Sequence, residues 1–380
     1  MRIAFVAAGG FDESGRDRVT PALLWLIERL TRSHDVSVYV LQYHDRPRRY
    51  ELCGATVHDL GRPRGLWRQY AALVRALRQE PAVDVLHGYM ALPAGFAAAS
   101  AGRRLGIRSV VTFDSGEFAS LPDIDYGLQR RSRQRLAVAA TARLADRVTV
   151  CSLYQQRLAR DHGVAAELLP IGVDTGLFVP ASRAEGPPWQ LVHVASLNTV
   201  KDQRTLLHTL KIVVDHHADV HLDIAGEDTL GGQIQDVAAS LGVNRRVTFH
   251  GQLASPLLVP LYQRAHLHVV SSRHEAAHVA TLEASACGVP TVGSAVGYIA
   301  DFAPDRAVAV TPGDPRLLAD AILALLRDPP RREALAHAAR TWTLAHDADW
   351  TSRRLQDIYA ELRVPSSFLH WRRGPTPGAN

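Results

Sequence analysis

Two carboxylates stand eight residues apart in the stretch Ser271-Ser272-Arg273-His274-Glu275 and Glu283-Ala284-Ser285-Ala286-Cys287-Gly288-Val289-Pro290. They sit where an apolar strand pattern gives way to a helical one, and Gly288 and Pro290 end that helix. Two chemistries compete for them. His274-Glu275-Ala276-Ala277-His278 fits HExxH, in which two imidazoles one helical turn apart hold a zinc ion and the glutamate activates its water. Alternatively, Glu283 accepts hydrogen bonds from a pair of hydroxyl groups, since the two oxygens of a carboxylate match a vicinal diol.

The zinc chemistry needs a third ligand. A metzincin continuation requires a glycine three residues and a histidine six residues after the second histidine, and Thr281 and Ala284 occupy those places. The motif also follows directly on the apolar run Leu267-His268-Val269-Val270, whereas zincin motifs lie in the middle of a long helix. With 18 histidines in the chain a chance match is unremarkable. The expectation is therefore no metal, with a zinc hydrolase as the remote alternative.

Short β-rich runs alternate with stretches of helical period along the chain, which predicts an α/β protein with parallel sheets covered by helices on both faces. Strands are expected at 3–7, 36–41, 83–87, 109–113 and 147–151, with helices such as 19–31 and 66–79 between them. Around 178–188 the period lapses into a proline-rich polar segment, the composition of an interdomain linker. Strands then resume at 190–194, 221–225, 247–250, 267–270 and 291–293. Two doubly wound domains follow, and their ligands belong in the loops beyond the carboxyl ends of the strands. The tail 364–380 lacks periodicity and is expected to be mobile. Its Phe368, Leu369, Trp371, Arg372 and Arg373 offer an alternative as an interfacial anchor.

The remaining composition narrows the class. At 380 residues, 47% of them apolar, two cores are affordable, and a cleft between domains is expected. Cys53, Cys151 and Cys287 are widely spaced and odd in number, which points to a reducing, cytoplasmic setting without a disulfide framework. The N-terminal apolar run stops at Gly9-Gly10, too soon for a secretory signal, and no run reaches the roughly 20 residues that cross a bilayer. Residues 1–180 hold 24 arginines against 18 acids, while the rest hold 19 basic against 20 acidic residues. The basic first half suits an anionic acceptor or peripheral contact with an anionic membrane. Nucleic acid is not expected, because no aromatic-basic interleaving accompanies the arginines.

The run 271–297 resembles the C-terminal signature of retaining GT-B glycosyltransferases of family 4, the group 1 type. Further segments resemble it in the same order: Pro170-Ile171-Gly172-Val173-Asp174, Ala195-Ser196-Leu197-Asn198-Thr199-Val200-Lys201-Asp202, Ala225-Gly226-Glu227, Val247-Thr248-Phe249-His250-Gly251 and, earlier, Asp84-Val85-Leu86-His87-Gly88 and Val110-Val111-Thr112-Phe113-Asp114. The resemblance implies two Rossmann-like domains facing across a cleft. An acceptor domain spans 1–177, a nucleotide-sugar domain 187–345, and a final helix at 346–363 packs back on the first. It implies hexosyl transfer from a UDP- or GDP-sugar to a glycan, lipid-linked or small-molecule acceptor, with retention, no metal and no permanently bound cofactor.

In that reading Glu275 meets the transferred sugar and Glu283 the ribose. Amides near Ala277, His278 and Val279 open a helix towards the pyrophosphate. Lys201 is the complementary cation; its identity is informative because the chain has only two lysines, Lys201 and Lys211. Gly9, Gly10 and Gly15 after the first strand permit close approach of a ligand, and His87 is placed on the acceptor side of the cleft. Three positions depart from the family pattern. Ser196 replaces an arginine five residues before Lys201, His278 stands in a stretch that is usually glycine-rich, and Asp114 replaces a histidine near the donor sugar. Asp114 is carried as a second catalytic candidate. The departures leave open a sugar-nucleotide-binding protein with lost or altered activity.

Overall fold

The computed structural model describes residues 1–363, so the tail 364–380, with its expectations of mobility and anchoring, lies outside the described residues. The first half runs β1 (Arg2–Ala7), α1 (Pro21–Thr31), β2 (Asp35–Val40), β3 (Arg48–Leu52), β4 (Ala55–Asp59), α2 (Leu66–Leu77), β5 (Val85–Tyr89), α3 (Phe96–Leu105), β6 (Arg108–Phe113), α4 (Ser132–Leu144), β7 (Arg147–Val150), α5 (Leu153–Asp161) and β8 (Glu167–Leu168). Its sheet is ordered β3-β4-β2-β1-β5-β6-β7-β8. Every pairing is parallel except β3 with β4.

The second half runs β9 (Trp189–Val194), α6 (Gln203–Asp215), β10 (Val220–Ala225), α7 (Gln233–Ser240), β11 (Val247–Phe249), α8 (Ser255–Arg264), β12 (Leu267–Val270), α9 (Val279–Ala286), β13 (Thr291–Ser294), α10 (Gly297–Phe302), β14 (Ala307–Val310), α11 (Pro315–Leu326), α12 (Pro329–Ala345) and α13 (Ala348–Arg363). Its parallel sheet is ordered β11-β10-β9-β12-β13-β14. Central strands such as β5 and β12 are buried along their whole length, as expected where helices cover both faces.

The expected strands are present, with shifts of one or two residues at their ends. The hairpin β3–β4 and the edge strands β8 and β14 were not anticipated. In the hairpin, Cys53 (φ 51°) and Gly54 (φ 76°) make a two-residue turn of left-handed residues, the geometry that matches strand twist. Cys-Gly lacks the usual Asn-Gly signature, and the charged Arg48 and Arg49 hide an edge strand whose side chains are largely exposed. The proline-rich segment after Phe178 has no regular structure but is tied to the second domain, where Arg183 Nη2 donates to the Gly288 carbonyl at 2.7 Å.

The last helix returns to the first half. Arg29, only 7% exposed in its side chain, pairs with Asp349 of α13 and with Asp174, both at 3.1 Å. Thr351 caps this junction, accepting from Gly172 N at 2.9 Å and donating to Pro170 O at 2.7 Å.

Candidate active site

Strands β9 and β12 are neighbours in the second sheet, so the loops that leave their carboxyl ends meet. Arg273 N donates to Val200 O at 2.7 Å and Ser271 Oγ to Lys201 O at 2.8 Å, stitching the two loops together. Lys201 itself follows a tight turn in which its amide donates to Asn198 Oδ1 at 3.1 Å. The result is a contact between residues 74 apart in sequence: Lys201 Nζ lies 2.6 Å from Glu275 Oε1, which also accepts from Ser272 Oγ at 2.6 Å.

Glu275 is 7% exposed. Burial alone would raise its pKa, but the Lys201 ammonium and the hydrogen bonds from Lys201 and Ser272 outweigh it and hold the carboxyl at about 2. Asp114, in the loop after β6 of the first domain, accepts from Tyr89 Oη. Burial, reinforced by the negative charge of Glu275, pushes Asp114 up to about 6 against the hydrogen bonds from Tyr89 and Cys151 and the charge of Lys201. A permanently ionised and a neutralisable carboxyl therefore share one electrostatic neighbourhood, one from each domain.

The HExxH geometry is absent. Residues 271–278 are not helical, and α9 begins only at Val279, so His274 and His278 do not share a helix face. His274 points to the first domain, with its ring near Tyr126 and Tyr154 and Nε2 3.4 Å from Ser115 O. His278 turns back into the second sheet, stacked on His268 at 5.5 Å with Nδ1 2.9 Å from Thr281 Oγ1. It caps α9 with φ 75°, a left-handed conformation more usual for glycine. Burial pushes His278 down to about 4, so its imidazole is neutral, and Nε2 lies 3.9 Å from Glu275 Oε1.

Glu283, one turn into α9, is 6% exposed and accepts from Tyr262 Oη at 2.8 Å. Burial, opposed by that hydrogen bond, raises it to about 7. It lines an interdomain cavity of about 990 Å³ together with Gly15 and Arg18 from the first domain and Ser196, Gly226 and Glu227 from the second. Gly226 (φ 155°) is required there, because a Cβ would lie 1.9 Å from the Ala195 carbonyl. Ala277, His278, Val279, Lys201 and Glu275 lie at the opening of α9 rather than among the residues that line this cavity.

Three expectations about the first domain need correction. His87 is not on the cleft: it is 1% exposed, with Nδ1 2.6 Å from Tyr359 Oη and Nε2 2.7 Å from Thr112 Oγ1, and burial holds it near 3. It tethers α13 to the sheet. Gly9 and Gly10 shape the loop after β1, Gly9 close to the Tyr43 ring and Gly10 (φ 86°) accepting from Thr20 N, so of the three glycines only Gly15 lines the cavity.

Sequence reasoning missed Glu117. Fully buried, it accepts from Ala91 N, Ser115 N and Gln155 Nε2, and burial pushes it up to about 7 despite its amide donors. It braces the loop that carries Asp114. The signal was a carboxylate three residues beyond Asp114, after a buried strand.

The two domains grip each other around residues 271–278. Arg273 Nη1 is 2.9 Å from Asp123 Oδ2, Ser152 Oγ donates to Ala276 O, and Leu153 N donates to Asp301 Oδ2 at 2.6 Å. Among the described residues no group of three or more His, Cys, Asp and Glu side chains could hold a metal ion.

Known proteins share this fold. The chain superposes on sucrose-phosphate synthase from Thermosynechococcus elongatus with a TM-score of 0.78, at 20% identity over 95% of this chain and 99% of that one. It superposes on the HepE protein of Anabaena with a TM-score of 0.73, at 17% identity over 95% and 100% of the two chains. These likenesses establish the two-domain GT-B fold. In sequence, it is 32% identical over 182 residues to a glycogen synthase of Mycobacterium tuberculosis, covering 47% of this chain and 44% of that protein. It is 32% identical over 216 residues to a D-inositol 3-phosphate glycosyltransferase of Thermomonospora curvata, covering 50% and 49%. The chain thus spans about half the length of the curated relatives it matches. A glycosyl transferase 4-like domain matches residues 19–172, and a glycosyl transferases group 1 domain matches residues 177–342. With strands β2 to β8 of the first sheet inside the one match and the pair Glu275 and Glu283 inside the other, the chain joins a glycosyl transferase 4-like domain to a glycosyl transferases group 1 domain.

Proposed function

We propose that the protein transfers a hexosyl unit from a UDP- or GDP-sugar to an acceptor hydroxyl with retention at the anomeric carbon and without a metal. The observation that carries this reading is the Lys201–Glu275 pair at the opening of α9, with Glu283 one helical turn further on at the cavity wall. The α9 amides and Lys201 supply positive charge for the pyrophosphate, as a metal ion would elsewhere. Glu275 and Asp114 accept hydrogen bonds from hydroxyls of the hexose, and Glu283 from those of the ribose. In the transfer the bond from the anomeric carbon to phosphate breaks, a bond to the acceptor oxygen forms on the same face, and the acceptor proton passes to the departing phosphate. A relative in fold, HepE of Anabaena, is known in complex with UDP and glucose, which supports a uridine donor. The first domain, basic and facing the same cleft, takes the acceptor.

A UDP- or GDP-sugar at about a hundredfold excess over its Kd should stabilise the protein by about 2.7 kcal/mol. A thermal-shift screen of both series reads this directly; no shift with any donor overturns the reading. His278 favours a second reading, a protein that binds donor without transferring it, because a left-handed histidine (φ 75°) caps α9 where the resemblance implies a small residue. UDP or GDP release in the presence of acceptors separates the two.

Donor binding should also be pH-dependent. The ribose hydroxyls need Glu283 ionised, while burial keeps its pKa near 7. Below that value a proton must leave on binding, so affinity should fall towards roughly tenfold per pH unit on the acid side and level off on the alkaline side. Calorimetry across pH 6 to 8 checks the slope, and Glu283→Gln should remove it along with much of the affinity.

A further inference from the structure

We propose that the rim of the first domain at the start of α2 and α4 is a docking surface for an anionic lipid bilayer. Helices α2, α3 and α4 follow the parallel strands β4, β5 and β6, so they all begin at the carboxyl edge of the sheet. They lie side by side, α2 against α3 and α3 against α4. Neither α2 nor α4 has an acid in its first turn or a side chain capping its amides, which leaves two positive helix ends uncompensated on one rim.

Arginines and apolar side chains share that rim. Trp67 is 72% exposed and Leu136 is 68% exposed. Arg64 and Arg68 flank Trp67, and Arg133 and Arg135 precede Leu136, all of them exposed. The nearby acids are engaged by other arginines: Asp45 pairs with Arg62, and Asp125 with Arg130 and Arg131. The Trp67 ring is held edge-on by Phe96 at 5.6 Å and by Tyr70 at 6.1 Å, so it is fixed in place with its outer face in water.

This combination fits a membrane interface. An indole sits favourably at headgroup depth, and guanidiniums beside it meet anionic headgroups. A nucleic-acid backbone would use the guanidiniums and leave Leu136 in water. One consequence rests on the proposed transfer: a cavity of about 330 Å³ lined by Leu92, Ser115, Tyr126, Arg130 and Arg131 opens beside this rim, so docking would bring the hydroxyl of a membrane-borne acceptor towards Ser115, on the loop that carries Asp114.

Flotation of the full chain with vesicles of phosphatidylcholine, with and without phosphatidylglycerol, tests the surface. The protein should float only with the anionic vesicles. Arg64→Ala and Arg68→Ala should each weaken partitioning roughly fivefold with unchanged thermal stability, because both side chains are exposed, and Trp67→Ser should weaken it further, with only the small stability loss that its edge contacts with Phe96 and Tyr70 carry. Absence of flotation overturns the proposal. So does flotation that survives the rim variants but is lost in Phe368→Ser/Trp371→Ser, or binding to single-stranded RNA without binding to vesicles. Donor-dependent UDP or GDP release with a soluble acceptor should be unaffected in the rim variants, and its failure in the native protein would leave the vesicle result standing.

Discussion

Replacing Lys201 by alanine should lower turnover by about two to three orders of magnitude, the usual cost of removing a preorganised charge from a site where negative charge develops. The ammonium lies 2.6 Å from Glu275 and is one of only two lysines in the chain. Its loss has a second effect. Glu275 is 7% exposed and held at about 2 largely by Lys201, so without it the carboxylate is buried unpaired. Breaking a buried pair from one side costs about 3–5 kcal/mol; the partial exposure of Lys201 puts the expectation at the lower end. The native pair contributes stability above the ordinary carboxyl range near 4.5, and that contribution is lost as pH falls through about 2. The double variant Lys201→Ala/Glu275→Gln removes the stranded charge, and should recover most of the stability while leaving turnover as low as in the single variant. Chemical denaturation and product-release kinetics on the three proteins check both halves. If Lys201→Ala retains native turnover, the site assignment fails.

Gly297→Ala should destabilise the fold by about 2–4 kcal/mol, combining left-handed strain with overpacking. Gly297 opens α10 at φ 53°, and a Cβ there would lie 2.4 Å from the Ala277 carbonyl and 3.0 Å from Glu275 Cβ. Relief requires moving the loop that carries Glu275 into α9, and a misplacement of about 1 Å at a reacting group can cost about a hundredfold in rate. Gly313→Ala is the control. It has a similar left-handed φ of 79° but nothing within 4 Å of a Cβ, so only the local strain should appear, with turnover intact. Equal losses in the two variants would show that close packing against Ala277 is unimportant.

The sequence is most legible where one segment contains its own reasons. The apolar run at 267–270, the turn after it and the helix closed by Gly288 and Pro290 are local patterns, and β12 and α9 form there. The spacing of Glu275 and Glu283 was likewise legible, as was the alternation that gives two parallel sheets. The Cys53-Gly54 hairpin was not, because left-handed backbone at a cysteine has no compositional signature. HExxH, set aside in the sequence for want of a third ligand, presupposes a helix, and residues 271–278 form none.

What the sequence alone determined is therefore the two-domain α/β architecture and the residue types available at the strand ends. Only the tertiary structure decided which of them meet. It joined Lys201 to Glu275 through adjacent parallel strands, withdrew His87 into the core against Tyr359, and enclosed Glu117 among amide donors. The physical reason is that the state of an ionisable side chain is set by its neighbours and by its distance from water. Both depend on strand order, which places residues far apart in the chain side by side.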